Sequence, residues 1–295
     1  GVFVQNRYGQ ELRLSIRSSG IARSYHTRGL EILQDGIPTN QADGSGDYYQ
    51  IDPLALQATE VYKGGNGLAY GSSTLGGAID FLTPTAHTAV APNILRLEGG
   101  SFGTVRSSAQ FSRVVGPLDF IGTFTVDHND GFRQHSRGQY EQFNANIGYR
   151  FSPNVETRFY LGAYIVDQQL PGTLSLSDAL NNPTKAAASA LSGDQARNTR
   201  TERIANRTTV KLDVGQLDID TWAIHKSLYH PIFQVIDQDG WTYGVAPRYT
   251  ATLNLGGMRN DVPSSSSAPR NSPFGPNSDS STSPLASMGA RSASG

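Results

Sequence analysis

The sequence predicts an all-β-dominated membrane protein, an antiparallel transmembrane β-barrel sheet preceded by a small mixed α/β domain, and three observations carry that prediction. From residue 93 onward, eight segments alternate in hydrophobicity with a period of two, as strands between unlike surroundings do. Their connections alternate between tight turns and long loops, the asymmetry of outer-membrane barrels. Aromatic residues gather near the segment ends, where amphipathic rings sit at membrane interfaces.

Composition narrows the class. No apolar run approaches the ~18 residues that a spanning helix requires, so any membrane crossing is by strands. The 24 basic and 25 acidic residues nearly cancel, which points away from nucleic acid. There are no cysteines, which removes disulfides, thiolate metal sites and cysteine nucleophiles together. No signal peptide is visible and the chain opens at GVFVQN without an initiating Met, so a mature chain or an internal piece is expected.

Residues 1–88 hold short apolar pieces, RLSI, LEILQDGIP and AIDFL, punctuated by Gly and Asp. They predict short strands and turns. Within them VYKGGNGLAYGSSTLGGAID, residues 61–80, carries six glycines. Gly64, Gly65, Gly67, Gly71, Gly76 and Gly77 match neither a phosphate-binding loop nor a dinucleotide fingerprint. Tight turns and closely packed strands are what such glycines permit.

Residues 93–260 carry the alternating segments. Val105, Ala109, Phe111 and Val115 oppose Thr104, Arg106, Ser108 and Gln110. Phe143, Ala145, Ile147, Tyr149 and Phe151 oppose Gln142, Asn144, Asn146 and Arg150. Trp241, Tyr243, Val245, Tyr249, Ala251, Leu253 and Leu255 oppose Thr242, Arg248, Thr250 and Asn254. Strands of about 10 to 14 residues follow, long for a soluble sheet and suited to a tilted membrane strand. Tight turns are expected at Gly116-Pro117, at Ser152-Pro153-Asn154 and around Gly215. Long loops are expected at NDGFRQHSRG, at about 167–201 and at HPIFQVIDQDG. Tyr140, Tyr149, Phe151, Phe159, Tyr164, Tyr229, Trp241 and Tyr243 are the expected interfacial rings. Residues 261–295, rich in Ser, Pro and Gly, are expected to be a disordered tail, a linker or an artefact of a misread gene end.

One stretch carries a family resemblance. Arg28-Gly29, Asp35-Gly36, Glu-Val-Tyr-Lys-Gly-Gly at 60–65, Tyr70-Gly71 and Leu-Gly-Gly-Ala-Ile-Asp-Phe at 75–81 follow one another in residues 26–84, HTRGLEILQDGIPTNQADGSGDYYQIDPLALQATEVYKGGNGLAYGSSTLGGAIDFLTP. This order and spacing resemble the later part of the plug domain of TonB-dependent outer-membrane receptors, with the chain most similar to the ferric dicitrate type. The resemblance implies a plug folded inside a barrel lumen, with only about eight of the family's ~22 strands present. An internal fragment without the start of the plug and the TonB box is what the resemblance leads one to expect. It further implies energy-coupled uptake of a ferric chelate, with TonB and its inner-membrane complex, outer-membrane lipid and the chelate as partners. The receptor would be a monomer in the bacterial outer membrane, with no cofactor.

Site expectations follow from that resemblance. PTNQADGSGDYYQ is similar to the family's apical loop, which makes Gln41, Asp43, Asp47, Tyr48 and Tyr49 ligand-contact candidates; a Gly/Asp turn cluster is the alternative. Arg133, His135 and Arg137 in GFRQHSRG suit an anionic chelate, because a guanidinium fork binds carboxylates bidentately; a solvated basic loop is the duller reading. Arg28 matches the plug arginine that pairs with barrel glutamates, and Lys63 lies where a second basic residue serves nearby. The pairs His128/His135 and His225/His230 make poor metal sites, the latter having opposite strand parity. No Gly-x-Ser-x-Gly elbow points to an enzyme. A passive porin or adhesin barrel is the rival function, a soluble β-rich binding protein is third, and haem, cobalamin or a carbohydrate are alternative cargoes of the receptor.

Overall fold

The computed structural model describes residues 1–8, 11–17, 19, 27–46, 48–71, 74–255, 258–265 and 268–272. The expected disordered tail lies outside these residues from 273 onward. Before that point the backbone is extended and paired. Met258–Ser265 and Ala268–Ser272 both line the edge of the preceding long strand, which corrects the expectation of disorder for residues 261–265 and 268–272.

The plug begins with an antiparallel hairpin, β1 (Val2–Tyr8) and β2 (Glu11–Ile16). A four-stranded sheet follows, built from β3 (Leu30–Gln34), β4 (Ile37–Pro38), β5 (Ala58–Lys63) and β6 (Gly77–Leu82) in the order β4-β3-β6-β5. β3 runs parallel to β6, and the other neighbours are antiparallel. Leu14 and Ile16 of the hairpin pack on Leu30, Ile32, Tyr48 and Ile79 to form the plug core.

The glycine-rich stretch ends β5, makes a 3-10 turn over Gly64–Tyr70 and enters β6. Its need for glycine is sharpest at Gly77, which has φ +136°. A Cβ there would sit 2.0 Å from the Tyr62 carbonyl oxygen. Only a bare backbone fits so close to the neighbouring strand.

The second sheet is an antiparallel meander of long strands. These are β7 (Asn93–Gly99), β8 (Val105–Val115), β9 (Leu118–Asn129), β10 (Gly138–Ser152), β11 (Val155–Gln169), β12 (Ala196–Leu212), β13 (Gly215–Pro231) and β14 (Val235–Leu255). β15 (Met258–Ser265) and β16 (Ala268–Ser272) pair with different parts of β14. Two-residue turns join β8 to β9, β10 to β11 and β12 to β13 at one end of the sheet. The connections 100–104, 130–137 and 170–195 lie at the other end, so the predicted sorting of turns and loops is present.

One loop is shorter than expected. β13 and β14 stay paired as far as Pro231 and Val235, so HPIFQVIDQDG supplies only residues 232–234 to the connection. Cross-strand hydrogen bonds satisfy backbone groups that an open loop would leave to water. For the same reason β10–β14 run 15 to 21 residues, longer than the predicted range.

The faces fall as the alternation predicts. Phe143 lies between Phe124 and Ala163, and Ile147 between Phe120 and Phe159, on the outward surface. Asn144 and Asn146 face inward and are buried by the plug. Tyr149, Phe151, Phe159, Tyr229, Trp241 and Tyr243 are exposed on the outside. Tyr140 and Tyr164 are corrections to the ring belt, being 2% exposed on the inner face. The Tyr164 hydroxyl donates to Asn144 at 2.5 Å, and the Tyr140 hydroxyl to Gln168 at 3.3 Å. Their parity along the strand, not their distance from its end, decides the side they occupy. Among the described residues no helix is long and apolar enough to cross a membrane, a statement that has no bearing on strands.

Candidate functional site: the plug apex and its seat in the barrel wall

The apical loop is built on one buried side chain. Asn40 Oδ1 accepts from Ile32 N at 2.7 Å, and its Nδ2 donates to the carbonyls of Leu30 and Gly44, both at 3.1 Å. This staples the loop to the edge of β3. A tight turn follows, with Gln41 N donating to Ser45 O at 2.8 Å and Gly44 N to Gln41 O at 2.9 Å. Asp43 Oδ1 accepts from Ser45 N at 2.9 Å and from its hydroxyl at 2.5 Å, while Oδ2 accepts from Arg28. Partial burial raises the Asp43 carboxyl, but the Ser45 and Arg28 hydrogen bonds outweigh it and hold the group below the usual range.

The ligand candidates therefore separate. Gln41 and Asp43 sit at the turn, partly accessible. Tyr48 and Tyr49 are 5% and 3% exposed and belong to packing. Tyr48 joins the plug core, and Tyr49 joins Tyr140 and Val166 of the wall beneath the Arg197 guanidinium. Asp47 lies outside the described residues.

The basic loop candidates also separate. Arg133 donates to the carbonyls of Lys185 (3.0 Å), Gly172 (2.8 Å) and Pro171 (3.1 Å), which ties the loop at 130–137 to the long loop at 170–195. His135 Nε2 lies 2.9 Å from Gln195 O and 3.6 Å from Asp194. Both are loop fasteners. Arg137 is exposed. Of the lock candidates, Arg28 pairs with Asp43 inside the plug, and Lys63 is exposed at the end of β5.

Among the described residues no group of three His, Asp or Glu side chains is placed to hold a metal ion. His225 lies 3.1 Å from Asp239 on the outer face, whereas His230 is buried against Ala196 O at 2.6 Å, the opposite facing that their parity requires.

The plug meets the wall through a polar seam that sequence reading does not locate. Asp52 Oδ2 accepts from the Thr125 hydroxyl at 2.7 Å, Gln142 donates to Tyr49 O at 3.3 Å, and Asn146 donates to Pro84 O at 2.8 Å. Gln34 donates to Asn144 at 3.0 Å.

The seam is densest at the β3–β4 turn. Asp35 and Gly36 both have positive φ, +57° and +74°, as a two-residue hairpin of the Asp-Gly kind requires. Asp35 accepts from Thr83 N at 2.8 Å and its hydroxyl at 2.9 Å, and Gly36 N donates to Asp80 at 2.9 Å. Arg203 of β12 donates to Gln34 O at 3.3 Å, and Arg248 of β14 reaches Gly36 O at 3.5 Å. Arg207 clasps Asp220 through Nε and Nη2 at 2.6 and 2.8 Å, with Arg248 on the same carboxylate at 3.1 Å. Next to this charge, Ile37 is fully buried among Tyr160, Ala205, Trp222 and Ile224.

Comparison with known proteins places this arrangement. Residues 1–78 match the family model of the TonB-dependent Receptor Plug Domain. The chain is similar to the ferric citrate transporter FecA in its unliganded form, at a TM-score of 0.72 and 16% identity over 90% of this chain and 42% of that one. It is similar to the ferric yersiniabactin uptake receptor FyuA from Yersinia pestis, at 0.66 and 18% over 88% and 42%. It is also similar to the ferripyoverdine receptor of the outer membrane of Pseudomonas aeruginosa, at 0.64 and 13% over 91% and 38%. At such identities the likeness is one of fold, and the chain spans less than half the length of each receptor. Residues 1–78 thus match a TonB-dependent receptor plug domain, and the chain as a whole shares the fold of the plug and adjoining barrel strands of such receptors.

Proposed function

We propose that the receptor of which this chain forms part takes up a ferric chelate, a siderophore or iron-citrate complex, through the barrel with energy supplied by TonB. The observation that carries the reading is a matched plug domain seated by a polar seam against a wall of eight long antiparallel strands. A passive pore needs no such plug, so the porin and adhesin readings are less well supported. The three structural relatives handle ferric citrate, ferric yersiniabactin and ferripyoverdine, which supports iron chelates over haem, cobalamin or carbohydrate.

In this reading the chelate rests between the apical turn and the loops at 130–137 and 170–195. Gln41 offers hydrogen bonds there, and Arg137 offers a guanidinium for a carboxylate edge. Asp43 shapes the turn. Tyr48, Tyr49, Arg133 and His135 act beneath the contact surface, by packing and by holding the loops. No bond to the cargo is made or broken.

Binding tests the proposal. The full-length receptor, purified in detergent, is titrated with ferric citrate and several ferric siderophores while intrinsic fluorescence is followed. Saturable quenching by one ferric chelate and none by its iron-free form is the expected result. Quenching by haem or cobalamin alone contradicts the cargo assignment.

A further inference from the structure

We propose that the Asp35-Gly36-Ile37 tip is a clasp that fastens the plug to the wall formed by β11–β14 and so holds the channel shut. The polarity is the reverse of the Arg28 pairing anticipated from sequence: the tip offers backbone carbonyls, and the arginines come from the barrel.

Three observations carry the inference. First, the tip joins an apolar anchor to a charged collar. Ile37 fills a site among Tyr160, Ala205, Trp222 and Ile224, and Arg203, Arg207 and Arg248 surround the turn beside it. Second, docking satisfies the wall as well as the plug. Among the described residues the one hydrogen bond of the Arg203 side chain is to Gln34 O, and Arg203 is 4% exposed. With the tip withdrawn, that hydrogen bond is lost and a nearly buried guanidinium is left without it. Third, the fit admits no side chain at the turn, since a Cβ on Gly36 would lie 2.8 Å from Arg207 Nη2.

The clasp rests on the plug-and-barrel fold and not on the cargo, so its test needs neither chelate nor TonB. Full-length receptor is inserted into planar lipid bilayers and its ion conductance measured for Gly36→Ala, Ile37→Ala and Gly29→Ala. Gly29 has a comparable φ of +79°, but the nearest atoms to its Cβ position are 3.9 Å away and belong to Leu75 and Ser19 of the plug. It reproduces backbone strain without touching the wall.

The clasp predicts at least a tenfold rise in open-channel events for Gly36→Ala and Ile37→Ala and parental behaviour for Gly29→Ala. Variants that stay as closed as the parent overturn the proposal. Equal leakage from Gly29→Ala overturns it too, because that outcome assigns the leak to general loosening of the plug.

Discussion

Arg158 on β11 and Asp119 on β9 form a bidentate pair, both contacts at 2.8 Å, across the strand that separates them. β10 carries Gly148 at the crossing, where a Cβ would lie 2.2 Å from Arg158 Nη2 and 2.5 Å from Asp119 Oδ2. Both side chains are nearly buried on the inner face, at 9% and 6% exposed. Removing one partner leaves a buried charge uncompensated. Arg158→Ala is therefore expected to cost about 3 to 5 kcal/mol, with Gly148→Ala approaching it although that change alters no charged residue. Urea unfolding of the full-length receptor in detergent checks both. A Gly148→Ala variant as stable as the parent contradicts the crossing.

Glu31 makes the plug sensitive to pH. Burial pushes its carboxyl up from the ordinary 4.5 to about 7. A raised folded-state pKa means that the fold binds the proton more tightly than the unfolded chain. Stability is therefore gained as pH falls from about 7 toward 4.5 and lost as pH rises through that window. Asp35 acts in the same direction, because burial outweighs the Thr83 hydrogen bonds and Arg203 and raises it to about 6. Glu31→Gln is expected to flatten the plug's melting temperature between pH 5 and pH 8, and to stabilise it at pH 8 by up to ~3 kcal/mol. Melting curves that keep the parent's pH slope would refute the assignment.

Gly77→Ala tests why the glycine run within residues 61–80 exists. Its Cβ would meet the Tyr62 carbonyl at 2.0 Å in a backbone conformation that alanine rarely adopts. Separation of β5 from β6 at a cost of ~3 to 5 kcal/mol is expected. Hydrogen exchange at the paired amides of Val61 and Ile79 reads it directly.

The loop residues predict opposite phenotypes. Arg133→Ala removes three hydrogen bonds to carbonyls, and faster proteolysis within 170–195 is expected at a cost of about 1 to 3 kcal/mol. Arg137→Ala should leave proteolysis unchanged and weaken chelate binding about three- to tenfold at low salt, less at high salt. A protease pattern that moves with Arg137 and not with Arg133 reverses these roles.

Much of this fold was legible in the sequence because strand parity is a strict code. That Asn144 and Asn146 share one face and Phe143 and Ile147 the other is read from alternation alone, and the structure shows the former to be the inner face. Tyr140 and Tyr164 obey parity as well; nearness to a strand end is the misleading signal at those two positions. The site was less legible. Arg133 and His135 have the composition of an anion site, yet their partners are carbonyls 38 to 60 residues away, which no local pattern announces. The Asp35-Gly36 turn was readable as a hairpin, but its arginine collar comes from β12 and β14, some 170 to 212 residues later.

The most direct measurement is uptake of radiolabelled iron, offered as several chelates, into cells that carry the full-length gene with and without a working TonB system. The account predicts accumulation from one chelate that disappears when TonB is absent. Accumulation that persists without TonB would contradict it and make the barrel a passive pore.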